Sequence, residues 1–288
     1  MTVAITGALG HIGSKLIRSI QHNVLVDNFY TNRYCSLFNL GQYNLIQADI
    51  LDADLVSIFR DIDVVIHLAA ITDAENSFSN RELVERVNVD GTARVMEACL
   101  QTGSKLIFAS TTSIYGVQDG EVDEDCTDLK PQSPYAKSKY DAEQLLKLVP
   151  HVILRMGTIF GVSPGMRFHT AVNKFCLQAS LGQPITVWRT ALNQKRPYLD
   201  LNDAVRAIQF ILDRDIFDNR IYNLVTANST VSDILSMIPK ELSIDYVDTK
   251  IMNQLSYTVS NKRFCDLGFE FTGSLEAGIK ETIELLTT

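Results

Sequence analysis

The sequence has no excess of positive charge and no long apolar run. Lys and Arg total 26 against 34 Asp and Glu, which gives a formal net charge of −8. The acidic residues are spread along the chain and no basic cluster could follow a phosphate backbone, so we expect no nucleic-acid partner. No apolar stretch approaches the roughly 18 residues that a membrane-spanning helix needs, so we also expect no membrane insertion.

Cysteine and histidine are scarce as well. The cysteines number five, an odd count, and lie far apart in the chain: Cys35, Cys99, Cys126, Cys176 and Cys265. This spacing matches neither a disulfide framework nor a zinc site, and the histidines lack metal-ligand spacing, so we predict no metal site. The amino-terminal residues lack the basic and long apolar regions of a signal peptide. These features predict a soluble cytoplasmic protein.

Short apolar segments alternate with helical patterns over about the first 160 of the 288 residues. The apolar segments are Thr2–Thr6, Val24–Asp27, Leu45–Ala48, Val64–Leu68, Leu106–Ser110 and Val152–Met156. The helical patterns cover Ile12–His22, Asp52–Arg60, Arg81–Thr102 and Pro134–Leu148. Nearly all-apolar strands that alternate with helices predict an α/β fold of the Rossmann type, with a doubly wound parallel sheet.

The pattern loosens after residue 160. It predicts a helix over Arg167–Leu181, a strand over Pro184–Trp188, a helix from Asn202, its N-cap, to Leu212, and a helix over Ser274–Leu286. We therefore expect a nucleotide-binding domain over residues 1–160 and a smaller α/β lobe over residues 161–288. No clean linker separates the two, so the boundary is approximate and the lobes interleave.

A glycine triplet follows the first predicted strand. Gly7, Gly10 and Gly13 stand where a tight turn enters a helix, and such a turn lets the pyrophosphate of a dinucleotide approach the helix amino terminus. His11 and Ile12 lie in the same turn and are candidate cofactor contacts, although His11 could equally face solvent.

Acidic residues end the next two strands. Asp27, followed by Asn28, could accept the adenosine ribose hydroxyls and would repel the 2′-phosphate of NADP. This pattern favours NAD, although Arg33 is close enough in sequence to leave NADP open. Asp49, followed by Ile50, could reach the adenine or could serve as a helix N-cap.

Hydroxyl groups cluster where the fifth strand ends, and a tyrosine–lysine pair follows. Thr111 lies in the hydroxyl-rich segment, and Tyr135 and Lys139 are four positions apart on one predicted helix face. An ammonium beside a phenol favours the phenolate, so we expect Lys139 to lower the pKa of Tyr135. A second pair at this spacing, Tyr246 and Lys250, has no glycine turn nearby and is interpreted as coincidence.

Five motifs together resemble a known family. They are TGALGHIG at residues 6–13, HLAA at His67–Ala70, VNVDGT around Asn88, STTSIYG at residues 110–116 and YAKSK at residues 135–139. They look like an extended short-chain dehydrogenase/reductase of the NAD-dependent epimerase/dehydratase group, which acts on nucleotide sugars. The segments at residues 154–161 and 196–203 are similar to the markers of that group's substrate lobe.

The resemblance implies a role for each matching residue. Tyr135 would be the acid/base, Lys139 would also bind the nicotinamide ribose, and Thr111 would hold the substrate oxygen. Further implied cofactor contacts are Leu68, Ala69, Ala70 and Asn88, and further implied substrate contacts are Thr112, Thr158 and Arg196. His67 itself is interpreted as a structural histidine, and Arg167 as a surface residue at a helix end.

One departure from the family pattern narrows the choice among the reactions of the group. The 4,6-dehydratases of the group carry an Asp-Glu pair after the active threonine, whereas Thr112 and Ser113 stand there in this chain. The resemblance therefore implies an NAD-dependent nucleotide-sugar 4-epimerase that forms a transient 4-keto intermediate. The alternatives are an NAD(P)H-dependent 4-ketoreductase or dehydrogenase, and a cofactor-binding regulator without chemistry. Related enzymes often dimerise through the helices predicted over Arg81–Thr102 and Pro134–Leu148, which implies a homodimer.

Overall fold

The computed structural model describes residues 1–248 and 256–287 and contains one large parallel sheet. Its seven strands lie in the order β3-β2-β1-β4-β5-β7-β11, and every neighbouring pair is parallel. These strands are β1 Val3–Thr6, β2 Val24–Asp27, β3 Leu45–Gln47, β4 Val64–His67, β5 Lys105–Thr111, β7 His151–Met156 and β11 Arg220–Leu224. The predicted Rossmann-type sheet is confirmed.

Seven shorter strands form three small sheets. They are β6 Glu121–Val122, β8 Thr158–Phe160, β9 Ile185–Trp188, β10 Lys195–Asp200, β12 Ala227–Thr230, β13 Ile244–Val247 and β14 Thr258–Val259. In the largest of them, β10 is antiparallel to β12 and parallel to β8. Lys250, the second half of the repeated tyrosine–lysine spacing, lies outside the described residues.

The helices that cover these sheets include each predicted one, with corrected ends. They are α1 His11–Leu16, α2 Leu55–Ile58, α3 Arg81–Glu85, α4 Gly91–Thr102, α5 Pro134–Leu145, α6 Ala171–Ser180, α7 Leu201–Arg214, α8 Val231–Met237, α9 Lys262–Cys265 and α10 Leu275–Thr287. A π turn over Arg86–Asp90 joins α3 to α4. Within residues 1–248 and 256–287, no helix is long and apolar enough to cross a membrane.

Two predicted helix starts were wrong because local hydrogen bonds decide them. The carboxylate of Asp200 accepts from the backbone N–H of Asn202 at 2.7 Å, so Asp200 caps α7 and Asn202 lies inside the helix. The helix predicted from Arg167 begins only at Ala171, because Thr170 has an extended backbone and the carbonyl oxygen of Arg167 accepts from the side-chain amide of Asn173 at 2.9 Å. The helix predicted to reach His22 ends at Leu16.

The apolar strands are buried on both faces, as their composition predicts. Along β1, Val3 and Ile5 pack into one core and Ala4 into the core on the opposite face. A third core, which includes Phe160 and Ile279, lies in the smaller lobe. Alternate residues of each strand point to opposite faces, so a parallel sheet with helices on both sides needs continuous apolar strands.

The two predicted domains exchange strands. Strand β11, from the predicted smaller lobe, adds to the large sheet, and β8, which lies before residue 161, pairs with β10 of that lobe. No single cut in the chain separates the lobes, and the division near residue 160 stays a prediction. Pairing also aligns Thr6 of β1 with Val26 of β2 and with His67 of β4, so the carboxyl ends of these strands meet at one edge.

Residues 161–165 join the smaller lobe to that edge. A Cβ on Gly165 would lie 2.5 Å from the carbonyl oxygen of Leu9 and 2.6 Å from that of Gly10. We expect Gly165→Ala to lower the free energy of unfolding by about 1–3 kcal/mol, because the added methyl group meets backbone that must shift.

Urea unfolding of the two proteins measures this change. Gly41→Ala is the control, because a Cβ on Gly41 meets nothing within 4 Å. Equal unfolding midpoints for Gly165→Ala and the wild type would show that residues 161–165 do not constrain the glycine turn.

Candidate active site

Glycines shape the turn between β1 and α1. Gly7 has a φ of 67°, in the left-handed region, and a Cβ there would lie 2.6 Å from the backbone nitrogen of Ala69. A Cβ on Gly13 would lie 2.5 Å from the carbonyl oxygen of Gly7. Gly10 is the N-cap of α1 and provides no side-chain cap. The turn is therefore compact, and no capping side chain covers the start of α1, as a bound pyrophosphate requires.

The His11 side chain points into the protein rather than into solvent, so the solvent-facing alternative was wrong. Its Nε2 lies 2.8 Å from the carbonyl oxygen of Gly161, which can only accept, so Nε2 carries the proton. Burial, together with the positive charge of Arg167, lowers the pKa of His11 to about 3. The ring is therefore neutral at pH 7 and joins the glycine turn to the smaller lobe.

The acidic side chains predicted to bind adenosine lie at the ends of β2 and β3. The carboxylate of Asp27 accepts from the backbone N–H groups of Leu9, at 3.0 Å, and Phe29, at 2.9 Å. This places Asp27 beside the glycine turn, where a ribose could reach its remaining lone pairs.

Asp49 is not the helix cap that we considered for it. Its carboxylate accepts from the side-chain amide of Asn28 and from the backbone N–H of Leu51, each at 2.9 Å, whereas Asp54 caps α2. The Ile50 side chain is buried. The adenine contact of Asp49 stays a prediction.

The loop after β4 is positioned by Asn88, which is fully buried in the π turn. Its side-chain oxygen accepts from the backbone N–H of Ile71 at 2.8 Å, and its side-chain nitrogen donates to the carbonyl oxygen of Ile71 at 2.9 Å. The same nitrogen donates to the hydroxyl of Ser138 at 3.0 Å. Asn88 therefore fixes the backbone that follows Leu68, Ala69 and Ala70, while its own amide is satisfied by protein groups.

His67 has the structural role that we predicted. Its two ring nitrogens lie 2.7 Å from the hydroxyl of Thr6 and 3.1 Å from that of Thr92. Burial lowers the pKa of His67 to about 3, so the neutral ring links β1 to α4.

The structure brings Thr111 and Tyr135 together. Tyr135 is the second residue of α5, whose first turn is capped by the hydroxyl of Ser133. The Thr111 side chain acts to lower the pKa of the phenol, which places the two side chains close together. Burial raises the pKa of Tyr135, which is opposite to the direction we predicted, and the positive charge of Arg167 acts against this rise.

Lys139 is buried under the end of β5. Its Nζ donates to the carbonyl oxygen of Ala109 at 2.8 Å and lies 4.7 Å from the centre of the Phe108 ring. Burial lowers the pKa of Lys139 to about 7, while the carboxylate of Glu143 acts in the opposite direction. Lys139 can therefore hold or release a proton near neutral pH.

Sequence reasoning missed an ion pair beneath these groups. Glu143 lies one turn after Lys139 and accepts from Arg155 at 3.0 and 2.7 Å, and also from the hydroxyl of Ser110. Both side chains of the ion pair are almost fully buried. The position of Glu143, four residues after Lys139 on the same helix face, was the available indication.

The predicted substrate contacts lie on three elements: Thr112 follows β5, Thr158 begins β8, and Arg196 is on β10. Thr112 donates to the carbonyl oxygen of Met156 at 3.3 Å, and its hydroxyl also accepts from the phenol of Tyr257 at 3.4 Å. Burial raises the pKa of Tyr257, and the charge of Arg196, on β10, acts against this rise, which places the guanidinium near that phenol. Thr158 lies beside Tyr198 of β10 in the small sheet.

Arg167 is not the surface residue that we predicted. Its side chain is half-buried ahead of α6, and its Nη1 donates to the hydroxyl of Thr72. Burial lowers the pKa of Arg167 to about 10, whereas the phenol of Tyr135 acts to raise it. The guanidinium thus faces the candidate catalytic tyrosine, a role that nothing in its local sequence indicated.

A Rossmann-type sheet with a glycine turn, an acid after β2 and a tyrosine–lysine pair defines a dinucleotide-dependent enzyme site. The family model described as "NAD dependent epimerase/dehydratase family" matches residues 3–224. The chain belongs to that family and is an enzyme of it.

Two curated relatives illustrate the range of activities named within this family. An uncharacterized UDP-glucose epimerase of Bacillus subtilis is 31% identical over 83% of this chain and 81% of that protein. A trifunctional UDP-glucose 4,6-dehydratase, 3,5-epimerase and reductase of Arabidopsis thaliana is 30% identical over 99% of this chain. The chain spans 47% of the plant protein, about half its length.

Two solved structures share the fold over nearly the whole chain. The UDP-glucuronic acid 4-epimerase of Bacillus cereus, in complex with UDP-glucuronic acid and NAD, is 25% identical with a TM-score of 0.88, over 99% of each chain. The UDP-glucose 4-epimerase of Thermus thermophilus, in complex with NAD, gives the same identity, TM-score and coverage.

The lowered pKa of Lys139 predicts how the stability of the folded protein depends on pH. Between about pH 7 and about pH 10 the unfolded chain binds a proton that the folded protein does not, so raising the pH through this window stabilises the folded state. We therefore expect Lys139→Met to be more stable than the wild type at pH 7, with a difference that shrinks as the pH rises.

Urea unfolding at about pH 7 and about pH 9.5, at equal NAD content, measures this difference. Lys137→Met is the control, because Lys137 lies on the same helix with an exposed side chain. A stability difference for Lys139→Met that is the same at both pH values would contradict the prediction.

Proposed function

We propose that this protein is an NAD-dependent nucleotide-sugar 4-epimerase. The observation that carries the proposal is the assembly of Thr111, Tyr135 and Lys139 at the carboxyl edge of the sheet, within reach of the glycine turn. The epimerase names of the Bacillus relative and of the two solved structures support it. Those names point to UDP-sugars as the substrates to test first.

The residues present fit NAD. Asp27 offers carboxylate oxygens beside the glycine turn, and no side chain caps α1. When bound, NAD would accept a hydride from the sugar carbon that bears the 4-hydroxyl and later return it. A carboxylate at Asp27 opposes the 2′-phosphate of NADP, which supports the choice of NAD.

The protein's own groups would move the proton. Tyr135 takes the proton of the sugar 4-hydroxyl as the 4-keto sugar forms, and gives it back after the sugar has turned. The Thr111 side chain lies close to the phenol and would hold the sugar oxygen in line with it. The positive charge of Arg167 acts against the burial that raises the pKa of Tyr135, and so favours the phenolate.

Elimination of water lacks the groups it needs. Thr112 and Ser113 follow Thr111, and the Thr112 hydroxyl contacts Met156 and Tyr257 rather than standing free as an acid or base. Dehydration, one of the named activities of the plant relative, is therefore not part of the proposal. A 4-ketoreductase that uses the same residues once is the second candidate, since the tyrosine–lysine pair serves either reaction.

Product analysis without added cofactor tests the proposal. We expect the purified protein to interconvert UDP-glucose or UDP-glucuronic acid with its 4-epimer, because each turnover regenerates NAD. Tyr135→Phe should lower the turnover at least about a hundredfold, the usual scale for loss of a general base. Tyr140→Phe, on the same helix, is the control. The NAD content of the purified protein is measured after denaturation. If the reaction instead requires added NADH in stoichiometric amounts, the ketoreductase is favoured over the epimerase.

We propose that the enzyme acts as a homodimer. Three exposed leucines support this. Leu83 on α3 is 36% exposed, Leu100 on α4 is 51% exposed, and Leu148, shortly after α5, is 65% exposed. Leu100→Lys should shift sedimentation from dimer towards monomer, whereas Leu181→Lys, at an exposed leucine of the smaller lobe, should not. A wild-type protein that sediments as a monomer would refute the dimer.

We also propose a cytoplasmic location. The five cysteines are all free in the structure, which suits a reducing compartment.

A further inference from the structure

Four basic side chains gather beside the glycine turn, and we call them the cation cluster: His11, Arg33, Arg167 and His169. Arg33 follows β2, whereas Arg167 and His169 precede α6. Burial lowers the pKa of both histidines, the charges of Arg33 and Arg167 lower it as well, and the charge of Arg33 also lowers the pKa of Arg167. Side chains whose charges shift one another's pKa values in this way lie close together in space.

Hydrogen bonds between backbone segments hold the cation cluster together. The hydroxyl of Ser163 donates to the carbonyl oxygen of His11 at 2.9 Å, and the backbone N–H of Gly165 donates to the hydroxyl of Ser14 at 2.9 Å. The thiol of Cys35 donates to the carbonyl oxygen of Pro164 at 3.1 Å. The loop of Arg33 and the segment of Arg167 are thereby fixed against each other and against the turn.

Among the described residues, the two arginines of the cation cluster are not paired with the carboxylates near them. Asp27 acts on Arg33, and Asp73 acts on Arg167, but within residues 1–248 and 256–287 neither arginine forms an ion pair. In the same part of the chain, Nε of Arg167 and Nδ1 of His11 are buried without a hydrogen-bond partner. Like charges brought together in this way favour an anion between them.

The position of the cluster indicates which anion. Arg33 interacts with Asp27, the candidate ribose acid, and Arg167 with Tyr135, the candidate acid/base. The two arginines also interact with each other, so they span the interval between the two ends of the site. In a dinucleotide bound along a Rossmann sheet, the pyrophosphate occupies this interval.

We propose that Arg33 and Arg167 form a diphosphate-binding clamp over the glycine turn, and that its position favours the diphosphate of the cofactor over that of a nucleotide-sugar substrate. The inference rests on the proposed NAD-dependent function. A guanidinium matches two phosphate oxygens at once, which suits this task better than an ammonium does. His169 has its pKa lowered to about 4, so at neutral pH the two arginines carry the charge.

Cofactor binding tests the clamp without any measurement of activity. Arg33→Met and Arg167→Met are purified, freed of nucleotide and titrated with NAD by calorimetry. We expect each variant to bind NAD at least about tenfold more weakly than the wild type, with the Lys variants in between. Arg60→Met is the control, because Arg60 precedes β4 at the opposite edge of the sheet.

A second titration separates the two sources of diphosphate. UDP alone is titrated into the NAD-loaded proteins. Weaker NAD binding with unchanged UDP binding assigns the clamp to the cofactor. Unchanged NAD binding with weaker UDP binding supports a diphosphate clamp but overturns the cofactor assignment.

The remaining outcomes are also decisive. If both variants fold and bind NAD and UDP as the wild type does, the clamp is refuted while the proposed function stands. If the wild type itself binds no NAD, the proposed function fails together with the clamp. Arg33 lies on a half-exposed loop, so Arg33→Met provides the answer even if Arg167→Met does not fold.

Discussion

The packing of residues 161–165 onto the glycine turn is the contact on which the rest of the site depends. It leaves no space for a side chain at Gly165, and it includes the bond between the neutral His11 ring and the carbonyl oxygen of Gly161. Because the turn belongs to the large sheet and residues 161–165 lead into the smaller lobe, this contact sets the lobe above the carboxyl edge. Arg167 follows directly and is thereby placed opposite Tyr135.

Burial is the second constraint, and it acts on the pKa values of the candidate catalytic residues Tyr135 and Lys139 in opposite senses. It raises the pKa of Tyr135 and lowers that of Lys139, so both groups move towards their uncharged forms. Charged neighbours counter this tendency: Arg167 favours the phenolate and Glu143 favours the ammonium. Glu143 is in turn held by Arg155, so an ion pair beneath the sheet edge helps to set the proton affinity of the site above it.

Chemistry in this family is divided among members by a few side chains on a shared scaffold. Here the hydroxyl side chains of Thr111, Thr112 and Ser113 line the edge where an elimination would need an acid and a base. The proton transfer that we propose for Tyr135 needs neither group, so these side chains fit the proposed reversible oxidation at one sugar carbon.

The sequence by itself determined the parallel sheet, the glycine turn, and the presence of Thr111, Tyr135 and Lys139 at one edge. Apolar strands buried on both faces and the four-residue spacing on a helix are local properties, so they can be derived from a single chain. Only the tertiary structure decided the direction in which the pKa of Tyr135 shifts, the buried orientation of the His11 side chain and the position of Arg167. Each of these depends on burial and on charges from segments far apart in the chain, which no local pattern records.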